Sequence, residues 1–239
     1  MRMVGVVLAG GSGQRFGAGV PKQLLELDGR TLLEHCVAAF DAAPGVDEVL
    51  VVMPPGRTAD AKELLDGQGY TKLTGIIDGG TTRPGSTRAA LAAIQAVSEA
   101  RPDTGPDEWA VLLHDAARPL VGQRIIADCV AALQRVQAVG VAVPTADTIV
   151  VAEDGVMTQV PRRDTLLRCQ TPQGFRLPVI TRAHELALAD PDYEPTDDCG
   201  VVLRYLPDVP VHVVEGSEQN LKITYPRDLA IARVLAGEG

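Results

Sequence analysis

Along this chain, short aliphatic runs alternate with longer stretches whose apolar positions recur every three or four residues. Aliphatic runs bounded by turn residues mark strands buried on both faces, and the longer spacing puts apolar side chains on one face of a helix. Val4 to Ala9 predicts a first strand, Leu32 to Phe40 a helix, and Val49 to Met53 a second strand stopped by Pro54 and Pro55. Leu73 to Ile77 predicts a third strand and Thr87 to Val97 a long helix. Ala110 to Leu113, Ile125 to Val136 and Val139 to Val143 continue as strand, helix and strand. This rhythm predicts an α/β fold with a doubly wound, mostly parallel sheet, which binds ligands at the carboxyl ends of its strands.

From Pro144 to Arg168 the rhythm breaks into short β-like pieces, such as Thr148 to Ala152 before a Glu153-Asp154-Gly155 turn. Asp-Gly between apolar flanks signals a hairpin. Segment 144–168 therefore reads as a projecting β-arm. A bare hairpin is marginal in water, so the arm is expected to pack on another subunit. Helical spacing returns at Val179 to Ala189, followed by a strand at Val211 to Val214 and a closing helix from Arg227 to Leu235. No internal repeat or low-complexity linker interrupts residues 1–239, which read as one domain carrying one arm.

Aromatic residues are only 3% of the chain, so the core must be built from Val, Leu, Ile and Ala, as in helices packed on a parallel sheet. The net charge of −9 gives an overall field that does not attract nucleic acid or anionic lipid. A polyanion must then bind at a local basic cluster. Cys36, Cys129, Cys169 and Cys199 lie far apart without paired metal-ligand spacing, which points to free thiols in a reducing compartment. No signal-peptide pattern precedes the first strand, and no apolar stretch is long enough to span a bilayer. The expectation is a cytoplasmic protein with no nucleic-acid or membrane partner.

Candidate chemistry sits at the ends of the predicted strands. After the first comes Leu8-Ala9-Gly10-Gly11-Ser12-Gly13-Gln14-Arg15-Phe16-Gly17, then Pro21-Lys22-Gln23. Glycines there let backbone N–H groups approach phosphate oxygens, and Arg15 and Lys22 add two cations suited to a triphosphate. The glycine spacing is not that of a dinucleotide-binding loop, and no Gly-Lys-Ser/Thr follows for a Walker loop. Asp78-Gly79-Gly80-Thr81-Thr82-Arg83-Pro84-Gly85-Ser86 follows the third strand, where Ser86 can cap the next helix or contact a ligand. His114-Asp115-Ala116-Ala117-Arg118-Pro119 ends the fourth, offering a carboxylate for hydroxyls or an ion and a guanidinium for phosphate. His114 itself reads as a packing or hydrogen-bonding residue.

Together with Arg163-Asp164-Thr165, Thr171-Pro172-Gln173-Gly174-Phe175, Thr196-Asp197-Asp198 and Asn220-Leu221-Lys222-Ile223-Thr224, these motifs resemble the 2-C-methyl-D-erythritol 4-phosphate cytidylyltransferases of non-mevalonate isoprenoid biosynthesis. The match spans roughly the whole chain. It departs at Thr81, where the family commonly has an acidic residue, and at Leu167, where a Trp is frequent. The resemblance implies a Rossmann-like nucleotidyltransferase fold that moves CMP from CTP onto a small sugar-alcohol phosphate. Mg2+ or another divalent cation would be held mainly by the CTP phosphates. Nucleotide contacts are implied at Ala9, Gly10, Gly11, Gly13, Lys22, Gly80, Thr81, Ser86, Asp115 and Ala116. Sugar-phosphate contacts are implied at Asp115, Arg118, Arg163, Thr171, Thr196 and Lys222. Catalytic roles fall to Arg15, Lys22, Arg163 and Lys222; the family's arm arginine lies eight residues before Thr171, which selects Arg163 over Arg162. The resemblance also implies a homodimer formed through the arm, with Arg163 serving the partner's site.

The implied chemistry is in-line attack of a phosphate oxygen on the α-phosphorus of CTP. A phosphate monoester is already ionised near neutral pH, so no strong general base is needed, and no Ser-His or His-Asp constellation is evident in the motifs. A ribitol 5-phosphate cytidylyltransferase would share most of these residues. A non-catalytic nucleotide-binding module should have lost a reacting cation, yet Arg15, Lys22 and Lys222 are all present. A glycosyltransferase would place Asp-x-Asp where this chain has Asp115-Ala116-Ala117.

Overall fold

Aliphatic runs closed by turn residues form the sheet, and the amphipathic stretches between them cover its two faces. A computed structural model describes residues 1–10, 21–101, 105–190, 192–193 and 195–237. The chain opens with β1 (Arg2–Leu8), a small hairpin of β2 (Glu26–Leu27) and β3 (Arg30–Thr31), α1 (Leu32–Asp41), β4 (Glu48–Met53) and α2 (Thr58–Leu65). Then come β5 (Leu73–Asp78), α3 (Arg83–Glu99), β6 (Trp109–Asp115), α4 (Gln123–Leu133) and β7 (Ala138–Pro144). The remainder is β8 (Val151–Glu153), β9 (Val156–Gln159), β10 (Leu167–Arg176), α5 (Leu177–Leu188), α6 (Asp198–Tyr205), β11 (Val211–Glu215) and α7 (Pro226–Ala236).

Seven strands pair in the order β11-β7-β10-β6-β1-β4-β5. Every pairing is parallel except those of β10, which runs antiparallel between β6 and β7. One face packs Phe40, Cys36, Ile125 and Leu133 of α1 and α4 against the sheet; the other packs Leu91, Ile94, Ile180 and Val202 of α3, α5 and α6. The chain leaves β1 toward β4 on one side, and the later strands build outward from β6 on the other. The order therefore reverses between β1 and β6, and their carboxyl ends open a crevice there.

The doubly wound, mostly parallel sheet agrees with the hydrophobic pattern, but the β2–β3 hairpin, α2, α6 and β10 were not anticipated. Helices α2 and α6 are only eight residues each. Strand β10 crosses the middle of the sheet through Thr171-Pro172-Gln173-Gly174, where its register against β7 shifts between Cys169 and Gln173. Proline lacks an N–H and belongs at such irregularities rather than in a regular ladder. The arm is also shorter than expected, because Leu167 and Arg168 pair with Pro144 and Val143 inside the main sheet. Beyond that root, β8 and β9 form a separate two-stranded ribbon. Its turn sets Asp154 and Gly155 at φ 50° and 80°, the left-handed geometry of a tight hairpin loop.

Candidate active site

A cavity of about 240 Å3 opens at the carboxyl ends of β1 and β6. Its walls bring together Ala9, Gly10, Lys22, Ser86, Asp115, Ala116 and Lys222, residues from five separate stretches of the chain. Gly10 and Gly79 are glycine for want of space: a Cβ would stand 2.8 Å and 2.6 Å, respectively, from Ser86 Oγ. Ser86 is not the cap of α3. Thr82 takes that role, its side chain accepting from the Gly85 N–H, and the Ser86 hydroxyl donates back to the Thr82 carbonyl at 3.1 Å. Gly80 packs directly on the backbone of Gly85, and Thr81 is exposed beside it.

Asp115 is the charged centre of the crevice. Its Oδ2 accepts from Lys222 Nζ at 2.7 Å and its Oδ1 from Arg83 Nε at 3.2 Å. Burial alone would raise the pKa of this carboxyl, but the positive charges of Arg83 and Lys222 outweigh it and hold the group far below the usual carboxylate range. Its backbone N–H donates to Thr171 Oγ1 at 3.1 Å. Thr171 Oγ1 also lies 3.1 Å from His114 Nδ1, and His114 Nε2 lies 3.0 Å from the Arg118 carbonyl. A carbonyl only accepts, so Nε2 carries the imidazole proton and Nδ1 accepts from the threonine. Burial pushes His114 down to about 4, which keeps it neutral. It is a structural hydrogen-bonding residue, in agreement with the sequence reading.

Arg118 does not line the cavity. Its guanidinium donates to the Asn220 carbonyl at 2.7 Å and the Cys169 carbonyl at 3.3 Å. Asn220 Nδ2 donates in turn to the Thr171 carbonyl at 2.8 Å, and Ile223 is fully buried against Leu27 and Leu32. These ties set the loop that carries Lys222. Arg163 lies on the exposed arm, donating to the Ala146 carbonyl, and does not line the cavity of its own chain. Thr196 is exposed, immediately before Asp197, which caps α6. Gly11, Gly13 and Arg15 lie outside the described residues.

The model of the family described as 2-C-methyl-D-erythritol 4-phosphate cytidylyltransferase matches residues 3–238. The chain belongs to this cytidylyltransferase family. A protein of that name from Thermobifida fusca is 51% identical, covering 100% of this chain and 94% of its own length. The crystal structure of 4-diphosphocytidyl-2C-methyl-D-erythritol synthase from Anaerococcus prevotii superposes with a TM-score of 0.83 at 26% identity, over 99% of this chain and 96% of that one. A bifunctional ribulose 5-phosphate reductase/CDP-ribitol pyrophosphorylase from Haemophilus influenzae is 36% identical over 96% of this chain, which spans 47% of that protein.

Within this cytidylyltransferase, sequence reasoning missed Arg83, Gln23, Asp198 and His184. Arg83 and Gln23 line the cavity. Arg83 Nη1 also lies 2.8 Å from Asp198 Oδ2, and Asp198 Oδ1 lies 3.0 Å from His184 Nε2. Arg83 loses from burial but gains more from the charges of Asp198 and Asp115, which raise its pKa; the same partnership holds Asp198 low against its own burial. Arg83 stands inside a motif already singled out for its glycines. Nothing local in the sequence marks His184, which is a buried position of an amphipathic helix.

Proposed function

We propose that this protein transfers CMP from CTP to 2-C-methyl-D-erythritol 4-phosphate, giving 4-diphosphocytidyl-2-C-methyl-D-erythritol and pyrophosphate in non-mevalonate isoprenoid biosynthesis. The observation that carries the reading is the convergence of Lys22 and Lys222, two hundred residues apart in sequence, on one cavity beside Asp115. A phosphate oxygen of the acceptor attacks the α-phosphorus, forming one phosphoanhydride as the α–β bond breaks and its electrons leave with pyrophosphate. Pre-set charge is the main contribution such a site makes, and each charge-stabilising group contributes about 3–4 kcal/mol. Lys22, with Arg15, serves the triphosphate and its leaving group, and Lys222 serves the α-phosphorus. Ala9, Gly10, Ser86 and Ala116 line the nucleotide side, with Gly80 and Thr81 assigned to it as well. Thr171, Thr196 and Arg118 set the sugar-phosphate side, with Arg163 supplied by the partner.

Among the described residues no group of three His, Cys, Asp or Glu side chains could hold a metal ion. Asp115 is the carboxylate lining the cavity, and one hard oxygen donor beside substrate phosphates and water suits Mg2+. When bound, the ion neutralises charge on the triphosphate. We further read residues 1–239 as a single nucleotidyltransferase domain whose 144–168 arm makes a cytoplasmic homodimer. Exposed Val156, Met157 and Val160 on that arm support an interface. No helix among the described residues is long and apolar enough to cross a membrane.

The second reading, a ribitol 5-phosphate acceptor, is favoured by the likeness to the Haemophilus influenzae protein. Incubation with CTP, Mg2+ and each polyol phosphate separately decides between them. Methylerythritol phosphate should yield its CDP-alcohol and pyrophosphate. Turnover with ribitol 5-phosphate alone would replace the reading, and CTP binding without turnover on either would mark a non-catalytic module.

A further inference from the structure

Five side chains from five elements form one continuous line through the crevice: His184, Asp198, Arg83, Asp115 and Lys222. The lysine and the arginine of this line differ. Lys222 sits on a loop with its side chain 46% exposed, whereas Arg83 is 24% exposed and grips two carboxylates. Asp198 is itself locked. Its backbone N–H and that of Cys199 donate to Gln173 Oε1 at 2.9 and 3.2 Å, and its carboxylate takes His184. Arg83 is therefore fixed from behind, through α6 and β10, while Lys222 has a single ionic partner among the described residues.

That asymmetry creates a difficulty for catalysis. The Lys222 ammonium is paired with Asp115 at 2.7 Å. To serve the α-phosphorus it shares or gives up its bond to a carboxylate whose side chain is only 12% exposed. A nearly buried carboxylate stripped of its cation carries a large desolvation penalty. Arg83 Nε, already on the other oxygen, keeps Asp115 paired during that transfer.

We propose that Arg83 is a positioning residue that acts as the standing counter-ion of Asp115, releasing Lys222 to the reacting phosphate, and that the His184–Asp198 pair holds Arg83 in that task. The planar guanidinium suits it because Nε and Nη1 reach two different carboxylates at once, which a lysine ammonium at the same place does not. The inference rests on the cytidylyltransferase reading. Part of its test is independent of any substrate.

The substrate-independent arm measures acylation of Lys222 by a soluble amine-reactive reagent, followed by peptide mass spectrometry on the ligand-free, full-length protein. In Arg83→Gln, Lys222 remains the one ion-pair partner of Asp115 among the described residues, so Lys222 should react several-fold more slowly than in wild type. The kinetic arm compares wild type, Arg83→Gln, Lys222→Ala and the double variant with CTP and methylerythritol phosphate. Arg83→Gln should lower kcat on the order of 10–100-fold with little change in the KM for CTP, the scale on which an outer partner of a reacting group acts. In the Lys222→Ala background the same change should cost almost nothing more, because its route of action is gone. Asp198→Asn should reproduce a weaker form of the kcat effect, and Arg83→Lys should fall between wild type and Arg83→Gln. Unchanged Lys222 reactivity, or equal losses from Arg83→Gln with and without Lys222, would overturn the proposal. A folded wild type that turns over neither polyol phosphate would sink the functional reading and leave the reactivity result to stand or fall by itself.

Discussion

Gly10→Ala probes the tightest approach on the nucleotide side of the crevice. The new methyl carbon would stand 2.8 Å from Ser86 Oγ, with no other side chain near it among the described residues except the Ser86 Cβ at 3.7 Å. Ser86 is 1% exposed, and its hydroxyl is directed at the Thr82 and Gly80 carbonyls at 3.1 and 3.4 Å. Two responses are open. The hydroxyl can rotate away and lose its bonds in a dry place, costing about 1–3 kcal/mol. Alternatively the Gly10 backbone can shift as in other overpacked sites, again at about 1–3 kcal/mol. For a chain of this size either route lowers Tm by about 2–12 °C, and because both residues line the cavity the KM for CTP should rise. Ser86→Ala removes the clashing oxygen and leaves an ordinary 3.7 Å contact. The double variant should therefore melt within about 1 kcal/mol of Ser86→Ala alone, a clear departure from additivity. Gly79→Ala is the control. Its Cβ would meet Val52 Cγ1 at 2.8 Å as well as Ser86 Oγ, so Ser86→Ala should not rescue it. Scanning calorimetry on wild type and these five variants, including Gly79→Ala with Ser86→Ala, measures every term. A Gly10→Ala protein as stable as wild type, or strictly additive losses in the double variant, would refute the reasoning.

Two further outcomes follow from the same geometry. His114 is buried neutral with its pKa lowered from 6.5 to about 4, so the unfolded chain binds a proton between those values that the folded one refuses. Its contribution is complete above about pH 6.5 and declines as pH falls toward 4, by about 3 kcal/mol in all. Urea melts across that window should show the decline, and His114→Gln should be less stable at neutral pH but flatter with pH; an equal slope in both would exclude His114 as the source. On the arm, Met157→Asp puts a charge on a 71%-exposed methionine. It should halve the mass seen by light scattering to that of the 25.2 kDa chain and reduce turnover with it; a wild type already monomeric at micromolar concentration would remove the dimer reading.

How much was legible in the sequence depended on whether a signal was local. The long runs of β1, β4 and β7 and the amphipathic stretch of α1 announce themselves by period alone. Strand β10 did not, because Thr171-Pro172-Gln173-Gly174 carries turn residues, and only its slot between β6 and β7 makes it a strand. That the guanidinium of Arg118, a candidate cation for phosphate, also ties two backbone carbonyls together was not legible either. Asp115 and Lys222 were legible as motifs, but Arg83 between them was not, since a lone arginine at a helix start is ordinarily a solvated charge.

By itself, then, the sequence determined the layered α/β architecture, the strand ends at which the cavity opens and the glycines that pack close to a neighbour. Those follow from hydrophobic periodicity and steric need, which act over a few residues. The tertiary structure alone decided which charges face one another: that Asp115 holds Lys222, and that Arg83 spans Asp115 and Asp198. Coulomb interactions depend on distance in space and on burial, and neither quantity exists until distant segments have packed.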